Sequence, residues 1–228
     1  MCGRFSQYCE PETLARLFEV PETQIHVPAF RPRYNVAPSQ PVMAVRSDDD
    51  GGRELVNLTW GLLPFWSKEP KTPYSTINAR AETVAEKPAF RQPFRKRRCL
   101  IPADNFFEWK PEGAGKQPYF IGLKSGRPFA FAGLWDRWED NGQAIESCTI
   151  IVTAANPLLR AIHERMPVIL PKERHGPWLD PRLKPDDAKG LLLPYDPDEM
   201  IFYPISGRVN SPKNDDATLI ERWNESQG

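Results

Sequence analysis

The chain has 228 residues, with 30 Lys and Arg balanced by 30 Asp and Glu, so its formal net charge is zero. Hydrophobic residues make up 40% and charged residues 26%, the mix of an ordinary soluble globular chain long enough to bury a core. No apolar run approaches the ~20 residues a spanning helix needs, and no charged and apolar leader precedes Gly3, so a membrane partner is excluded and a cytoplasmic setting is expected.

The sequence begins MCGRF. Initiator methionine is normally removed before a small residue, which would make Cys2 the N-terminus, carrying an α-amine and a thiol two carbons apart. Ordinary values near ~7.7–8 for the amine and ~8.5 for the thiol leave both partly nucleophilic at neutral pH. An amine alone forms a hydrolysable imine with an aldehyde, whereas an adjacent thiol can close onto that imine to give a thiazolidine. The plain alternative is a frayed terminus.

A short helix fits PETLARLFEV, with Pro11 in its first turn and Leu14, Leu17 and Phe18 on one face. Strand-like runs follow at 42–45, 55–60, 98–101, 106–110, 119–123, 129–135 and 147–153, separated by SDDDGG and by the glycine-containing turns EGAGK, KSGR and EDNG. A second helix is marked at NPLLRAIHER, with Asn156 as cap and Pro157 in the first position. The 25 prolines, about twice the usual ~5%, favour turns over long helices. Strands outnumber helices and do not alternate with them. The expected fold is therefore α+β, a single domain over 1–228 with its core in about 2–220, built on a largely antiparallel, barrel-like sheet flanked by short helices.

Several polar residues fall inside otherwise apolar segments. In FFEWK the period of two puts Phe106, Glu108 and Lys110 on one face and Phe107 and Trp109 on the other. A carboxyl beside large aromatics loses solvation, so the pKa of Glu108 should rise into the range of a general acid or base. His163 is expected near the C-terminus of the second helix, where imidazolium is favoured. Asn78 and Arg80 lie in STINARAET, where a short strand leads towards a helix. WGLLPFW could expose Phe65 or Trp66 for stacking on a base. Nine basic residues face three acidic ones from Trp66 to Arg98, and FRQPFRKRR alone carries five cations; such a run is either a solvated face or a phosphate-contacting strip. Cys2, Cys9, Cys99 and Cys148 include no C-x-x-C pair, His26 and His175 lie in no ligand pattern, and no phosphate-binding glycine loop is present. No metal, cofactor or disulfide framework is expected.

MCGRF, RYNVAPSQ, WGLLPFW, INARAET, RCLIPADNFFEWK, FAGLWDRW, TAANPLLRAIHERMPVIL and VNSPKND occur together and in order. This set resembles the SOS response-associated peptidase family of abasic site processing proteins, from Cys2 to about Ile220. The resemblance implies that the mature N-terminal cysteine attacks the ring-opened aldehyde of an abasic site in single-stranded DNA. A thiazolidine DNA–protein crosslink would result and shield the lesion from strand cleavage. By position it implies chemical roles for Cys2, Asn78, Glu108 and His163, and DNA contacts for Arg4, Asn35, Pro38, Trp66, Arg80, Thr153 and Arg165. A monomer associated with the nucleoid when bound to DNA is expected. Two other readings stand beside it: a thiol-dependent peptidase removing its own Met1, and an N-terminal-nucleophile amidohydrolase, some of which also begin Met-Cys-Gly.

Overall fold

The computed structural model describes residues 2–48, 50–72, 75–113 and 115–223. The expected removal of Met1, and parts of the SDDDGG and EGAGK loops, lie outside the described residues. In chain order the strands are β1 (Phe5–Gln7), β2 (Ile25–His26), β3 (Arg33–Val36), β4 (Pro41–Ser47), β5 (Arg53–Trp60), β6 (Asn78–Arg80) and β7 (Arg98–Ala103). They continue as β8 (Asn105–Glu112), β9 (Gly115–Leu123), β10 (Phe129–Asp140), β11 (Gln143–Ala154), β12 (Arg165–Pro167), β13 (Ile169–Leu170) and β14 (Met200–Pro204). Four short helices accompany them: α1 (Pro11–Leu17), α2 (Arg91–Lys96), α3 (His175–Leu179) and α4 (Pro185–Lys189).

One sheet runs β14-β9-β8-β1-β3, and a larger one runs β12-β11-β10-β7-β4-β5-β2, with β13 and β6 joined to its flanks. The long pairings are antiparallel, set by hairpins such as β10–β11, where Asn141 and Gly142 take φ of 48° and 79°. Two consecutive positive φ values define the tight turn that an Asn-Gly pair favours. The two sheets share a core: Phe5, Phe106, Ile121 and Met200 from the smaller one meet Val42, Trp60, Phe131 and Ile150 from the larger. Phe5 is its hub, with its ring 5.0 Å from Trp60 and 5.7 Å from Phe131. A second cluster, holding Leu14, Phe18, Phe94 and Trp178, fills the opposite face of the larger sheet beneath the helices. The α+β, sheet-dominated fold expected from the sequence is the one observed, with each strand-like run inside an observed strand.

Two local expectations change. Helix α1 stops at Leu17 because Glu19 enters the left-handed region at φ 58° and Val20 N–H bonds back to Ala15. The helix expected at NPLLRAIHER is only a 3-10 turn over Leu159–Ala161. Asn156 does cap it, its Oδ1 accepting from Leu159 N–H at 2.9 Å. However, Ala155 N–H must reach Glu164 O at 2.9 Å so that Arg165 can pair with Ala154. Ten residues that have to double back into a sheet leave no room for a two-turn helix, and strand pairing overrides local propensity. His163 therefore ends a tight turn, and the helix-dipole argument for it falls away.

Candidate active site and nucleic-acid interface

Cys2 leads into β1 and is fully buried in the core shared by the two sheets. Its thiol accepts a hydrogen bond from the Arg4 backbone N–H. Burial first, and the neighbouring charge of Glu108 second, push that thiol far above its ordinary value. The expectation of a partly ionised thiol at neutral pH is corrected accordingly: a thiolate without solvent and beside a carboxylate is disfavoured twice.

Strand β6 brings the next group. It pairs in parallel with β11, Asn78 opposite Ile150 and Arg80 opposite Val152. Ala79 faces the second core cluster, so the period of two turns Asn78 and Arg80 to the other side. Asn78 Nδ2 donates to the Cys2 carbonyl at 2.8 Å, while its Oδ1 is buried and unpartnered among the described residues. Buried amide oxygens normally find a donor, so this one is an acceptor held ready beside the start of the chain.

Glu108 lies on β8, cross-strand from Tyr119, and is 5% exposed. The alternation expected in FFEWK holds: Phe106 packs in the shared core near Cys2, while Phe107 packs with Trp109 in a separate cluster under Ile205 and Leu219. Burial raises the pKa of Glu108, and nearby positive charge, His163 included, pulls it back. His163 Nδ1 lies 2.9 Å from Arg165 N–H and 3.2 Å from Arg165 O. The neutral ring accepts from the first, and the cationic ring donates to the second, so the imidazole has a partner in either protonation state.

The residues implied for DNA contact divide into two sets. Arg80 is exposed. Trp66 is 48% and Phe65 46% exposed on a loop that is pinned from below. Leu63 N–H donates to Ser147 Oγ at 2.8 Å, Phe65 N–H to Asp136 Oδ2 at 3.1 Å, and Trp138 Nε1 to Ser67 O at 2.7 Å. Arg165, partly exposed, is held by Glu82 at 2.5 Å, a partner that the sequence did not single out. Pro38 is half-buried.

Asn35 is different. It has no exposed surface; its Oδ1 accepts from Arg4 Nη1 at 2.8 Å, and its Nδ2 donates to the carbonyls of Val209, Ser211 and Asn214 at 3.2, 3.0 and 2.7 Å. The side chain ties the 209–214 segment to β3 and aims Arg4, another residue for which the resemblance implies a DNA contact. Thr153 is 7% exposed and offers little more. The basic run also divides. Arg98 is buried and donates to the carbonyls of Phe94, Arg95, Trp178 and Asp180. Arg97 pairs with Asp136 at 2.9 Å. Arg91, Arg95 and Lys96 remain exposed.

Together, Cys2, Asn78, Glu108 and His163 bring a thiol, an amide that holds its backbone, and two groups able to move protons into one poorly solvated site. Such a set can capture an electrophilic carbonyl. Among the described residues no cluster of metal ligands occurs, and no helix is long and apolar enough to cross a membrane.

The SOS response associated peptidase (SRAP) model matches residues 1–212. Two Bacillus subtilis relatives, the abasic site processing proteins YoaM and YoqW, are each 46% identical, covering 98% and 97% of this chain and 99% of their own lengths. A crystal structure of a Bacteroides thetaiotaomicron protein superposes with a TM-score of 0.84 at 32% identity, covering 98% of this chain and 100% of that one. The chain belongs to the SOS response associated peptidase family.

Proposed function

We propose that this protein processes abasic sites, and that, once Met1 is removed, Cys2 captures the ring-opened abasic aldehyde in single-stranded DNA as a thiazolidine. The observation that carries this reading is the convergence on one residue: Asn78 holds the Cys2 carbonyl at 2.8 Å, and the Glu108 carboxylate is close enough to raise the Cys2 thiol. The names of the relatives, abasic site processing proteins, supply the substrate.

The chemistry follows in order. The abasic sugar is mostly a closed hemiacetal. Glu108, its pKa raised by burial, donates to the ring oxygen as the sugar opens. The α-amine of Cys2, held by the waiting Oδ1 of Asn78, adds to the aldehyde carbon, and the carbinolamine loses water to give an imine. The thiol then adds across the C=N bond. Its sulfur bonds to carbon, its proton passes to Glu108, and the imine nitrogen takes up a proton. The sum is aldehyde plus aminothiol giving thiazolidine plus water. His163 relays protons on the opposite side of the sugar. Arg80 and Arg165 neutralise phosphates, Arg4 backs the N-terminal segment, and Trp66 stacks against a base, which favours a single strand over a continuous duplex.

A protonated, buried thiol is poorly suited to attack an amide, which weighs against both the peptidase and the amidohydrolase readings. The test is incubation with a single-stranded oligonucleotide carrying one abasic site, followed by a denaturing gel. A heat-stable, reductant-independent adduct with wild type, absent from Cys2→Ala, supports the reading. The same adduct from Cys2→Ala would place the nucleophile elsewhere.

A further inference from the structure

The VNSPKND segment has no part in the chemistry above, yet its last residue grips the strand beside β1. Strands β1 and β3 pair with Phe5 opposite Val36 and Gln7 opposite Arg33. Two residues of β3, Tyr34 and Asn35, therefore stand against Ser6 alone, which makes a β-bulge. A bulge interrupts the ladder and re-aims a side chain. Both consequences are used here. The N–H groups of Tyr34 and Asn35 converge on one oxygen, Asp215 Oδ1, at 2.5 and 3.0 Å. The Asn35 side chain turns inward, fully buried, and its Oδ1 accepts from Arg4 Nη1 at 2.8 Å.

The second oxygen of Asp215 is also engaged. Oδ2 accepts from Arg33 Nε at 2.8 Å, and the Arg33 Nη2 donates in turn to Gln40 Oε1 at 2.5 Å. Bonds to a carboxylate are about twice as strong as neutral ones, and this carboxylate takes three donors on a side chain only 14% exposed. From the bulge the path to sulfur is short. The Arg4 backbone N–H donates to the Cys2 thiol, and Arg4 O accepts from Phe107 N–H at 3.0 Å, one residue before Glu108. Arg4 thus stands between the nucleophile and the strand that carries its base. The next residue, Asp216, faces the other way: it pairs with Arg208 at 2.9 Å and accepts from Thr218 N–H at 3.1 Å, within its own segment.

We propose that Asp215 is a positioning residue of the capture reaction. By holding the bulge it sets Asn35, through Asn35 it sets Arg4, and through Arg4 it sets the Cys2 thiol against Glu108. Asp215 touches no reacting atom. This rests on the reading that the Cys2 thiol closes the ring, and it deepens that reading by naming what keeps the sulfur in place. Loss of Asp215 then slows the chemical step and leaves the affinity for the strand nearly as it was.

The test uses the full chain, well below the melting midpoint of each variant. Single-turnover crosslinking is timed at saturating abasic single strand, and affinity is read with an oligonucleotide carrying tetrahydrofuran, an abasic analogue without an aldehyde. Asp215→Ala should slow crosslinking about 10- to 100-fold, the scale of a small misplacement of a reacting group, while affinity changes less than about 3-fold. Asp215→Asn keeps one oxygen for the two N–H groups but turns an NH₂ towards Arg33, so its rate should lie between those of alanine and wild type. Asp216→Ala loosens the same segment without touching the bulge and should react at the wild-type rate. In an Asn35→Ala background, where the path is already cut, Asp215→Ala should cost less than about 2-fold more. Amide exchange at Arg4 and Phe107 should quicken about 10-fold in Asp215→Ala while the β10–β11 hairpin keeps its protection. A wild-type rate in Asp215→Ala, an equal loss in Asp216→Ala, a full further loss in the Asn35→Ala background, or equal quickening in the hairpin would each overturn the positioning role. Exchange needs no DNA. If wild type formed no adduct, the crosslinking reading would fail while exchange still reported on the path from Asp215 to Arg4; a wild-type adduct with an unslowed Asp215→Ala would overturn the positioning role alone.

Discussion

Replacing Asn35 by alanine removes a fully buried side chain, so its cost can be worked from its four bonds. Oδ1 accepts from Arg4, and Nδ2 donates to Val209 O, Ser211 O and Asn214 O. Two of these carbonyls keep another donor: Arg4 Nη1 also reaches Val209 O at 2.8 Å, and Asn214 N–H reaches Ser211 O at 3.1 Å. Asn214 O loses the donor it has here. Orphaning this half-buried acceptor costs towards the lower end of about 1–3 kcal/mol, and the remaining lost bonds contribute about 0.5–1.5 kcal/mol each before compensation. The expected total is about 3–4 kcal/mol. At roughly 2–4 °C per kcal/mol for a chain of this size, the melting midpoint should fall by roughly 10 °C. Asn35→Asp keeps the shape and the bond from Arg4 but supplies no donor at pH 7, so it should fare no better than alanine there. Calorimetry with a matching denaturant titration measures both. A loss under about 1 kcal/mol in Asn35→Ala, or wild-type stability in Asn35→Asp, would refute the argument that the amide donor ties the 209–214 segment to β3.

Other expectations follow from the same geometry. Glu108→Gln should slow crosslinking about 10²–10⁴-fold with little change in affinity for a tetrahydrofuran oligonucleotide, and its rate should climb more steeply with pH than that of wild type, because the thiol proton must then leave to solvent. Equal rates in single-turnover gels would remove Glu108 from the chemistry. Cys2→Ser should keep the amine but lose the trap, giving an adduct only when borohydride is present, together with weak strand cleavage; a stable adduct without reductant contradicts this. Asp104, which accepts from the Tyr8 and Cys9 N–H groups, has its pKa raised by burial from 3.8 to about 6. A raised carboxyl pKa favours the native state below the unfolded value and loses that contribution as pH rises through the folded one. Asp104→Asn should therefore gain on wild type between pH 4 and 6, by up to roughly 3 kcal/mol; a difference independent of pH in denaturant titrations would rule this out.

What the sequence made legible was mostly local and periodic. The two-residue alternation of FFEWK put Glu108 on the face of Phe106, and that face proved to be the shared core containing Cys2. The Asn-Gly pair announced the β10–β11 hairpin, and the strand runs were bounded by turn residues. What stayed hidden depends on long-range pairing. NPLLRAIHER has a good helix pattern, yet Ala155 and Glu164 must meet, and nothing within those ten residues signals that closure. The ordered cationic run read as one strip, but Arg98 turns inward to four carbonyls donated by segments more than eighty residues apart at their extremes. The partners of Asn35, 174 to 179 residues further on, are visible only once the chain has folded.

The same distinction decides how the site works. From sequence alone, Cys2 offers two nucleophiles of similar readiness. The fold makes them unequal, since burial and the Glu108 charge keep the thiol protonated, while Asn78 holds the backbone of the same residue and leaves one oxygen unpartnered for its amine. In the proposed capture, an amine that acts first and a thiol that cannot act unaided would impose an order: imine, then ring closure. The carboxylate that raises the thiol pKa would then be the base that takes its proton, with an iminium beside the thiol stabilising developing negative charge on sulfur. A free thiolate here would be open to oxidation and to other electrophiles. On the proposed mechanism, a thiol activated by the imine it must trap would be held back until the aldehyde has already been caught.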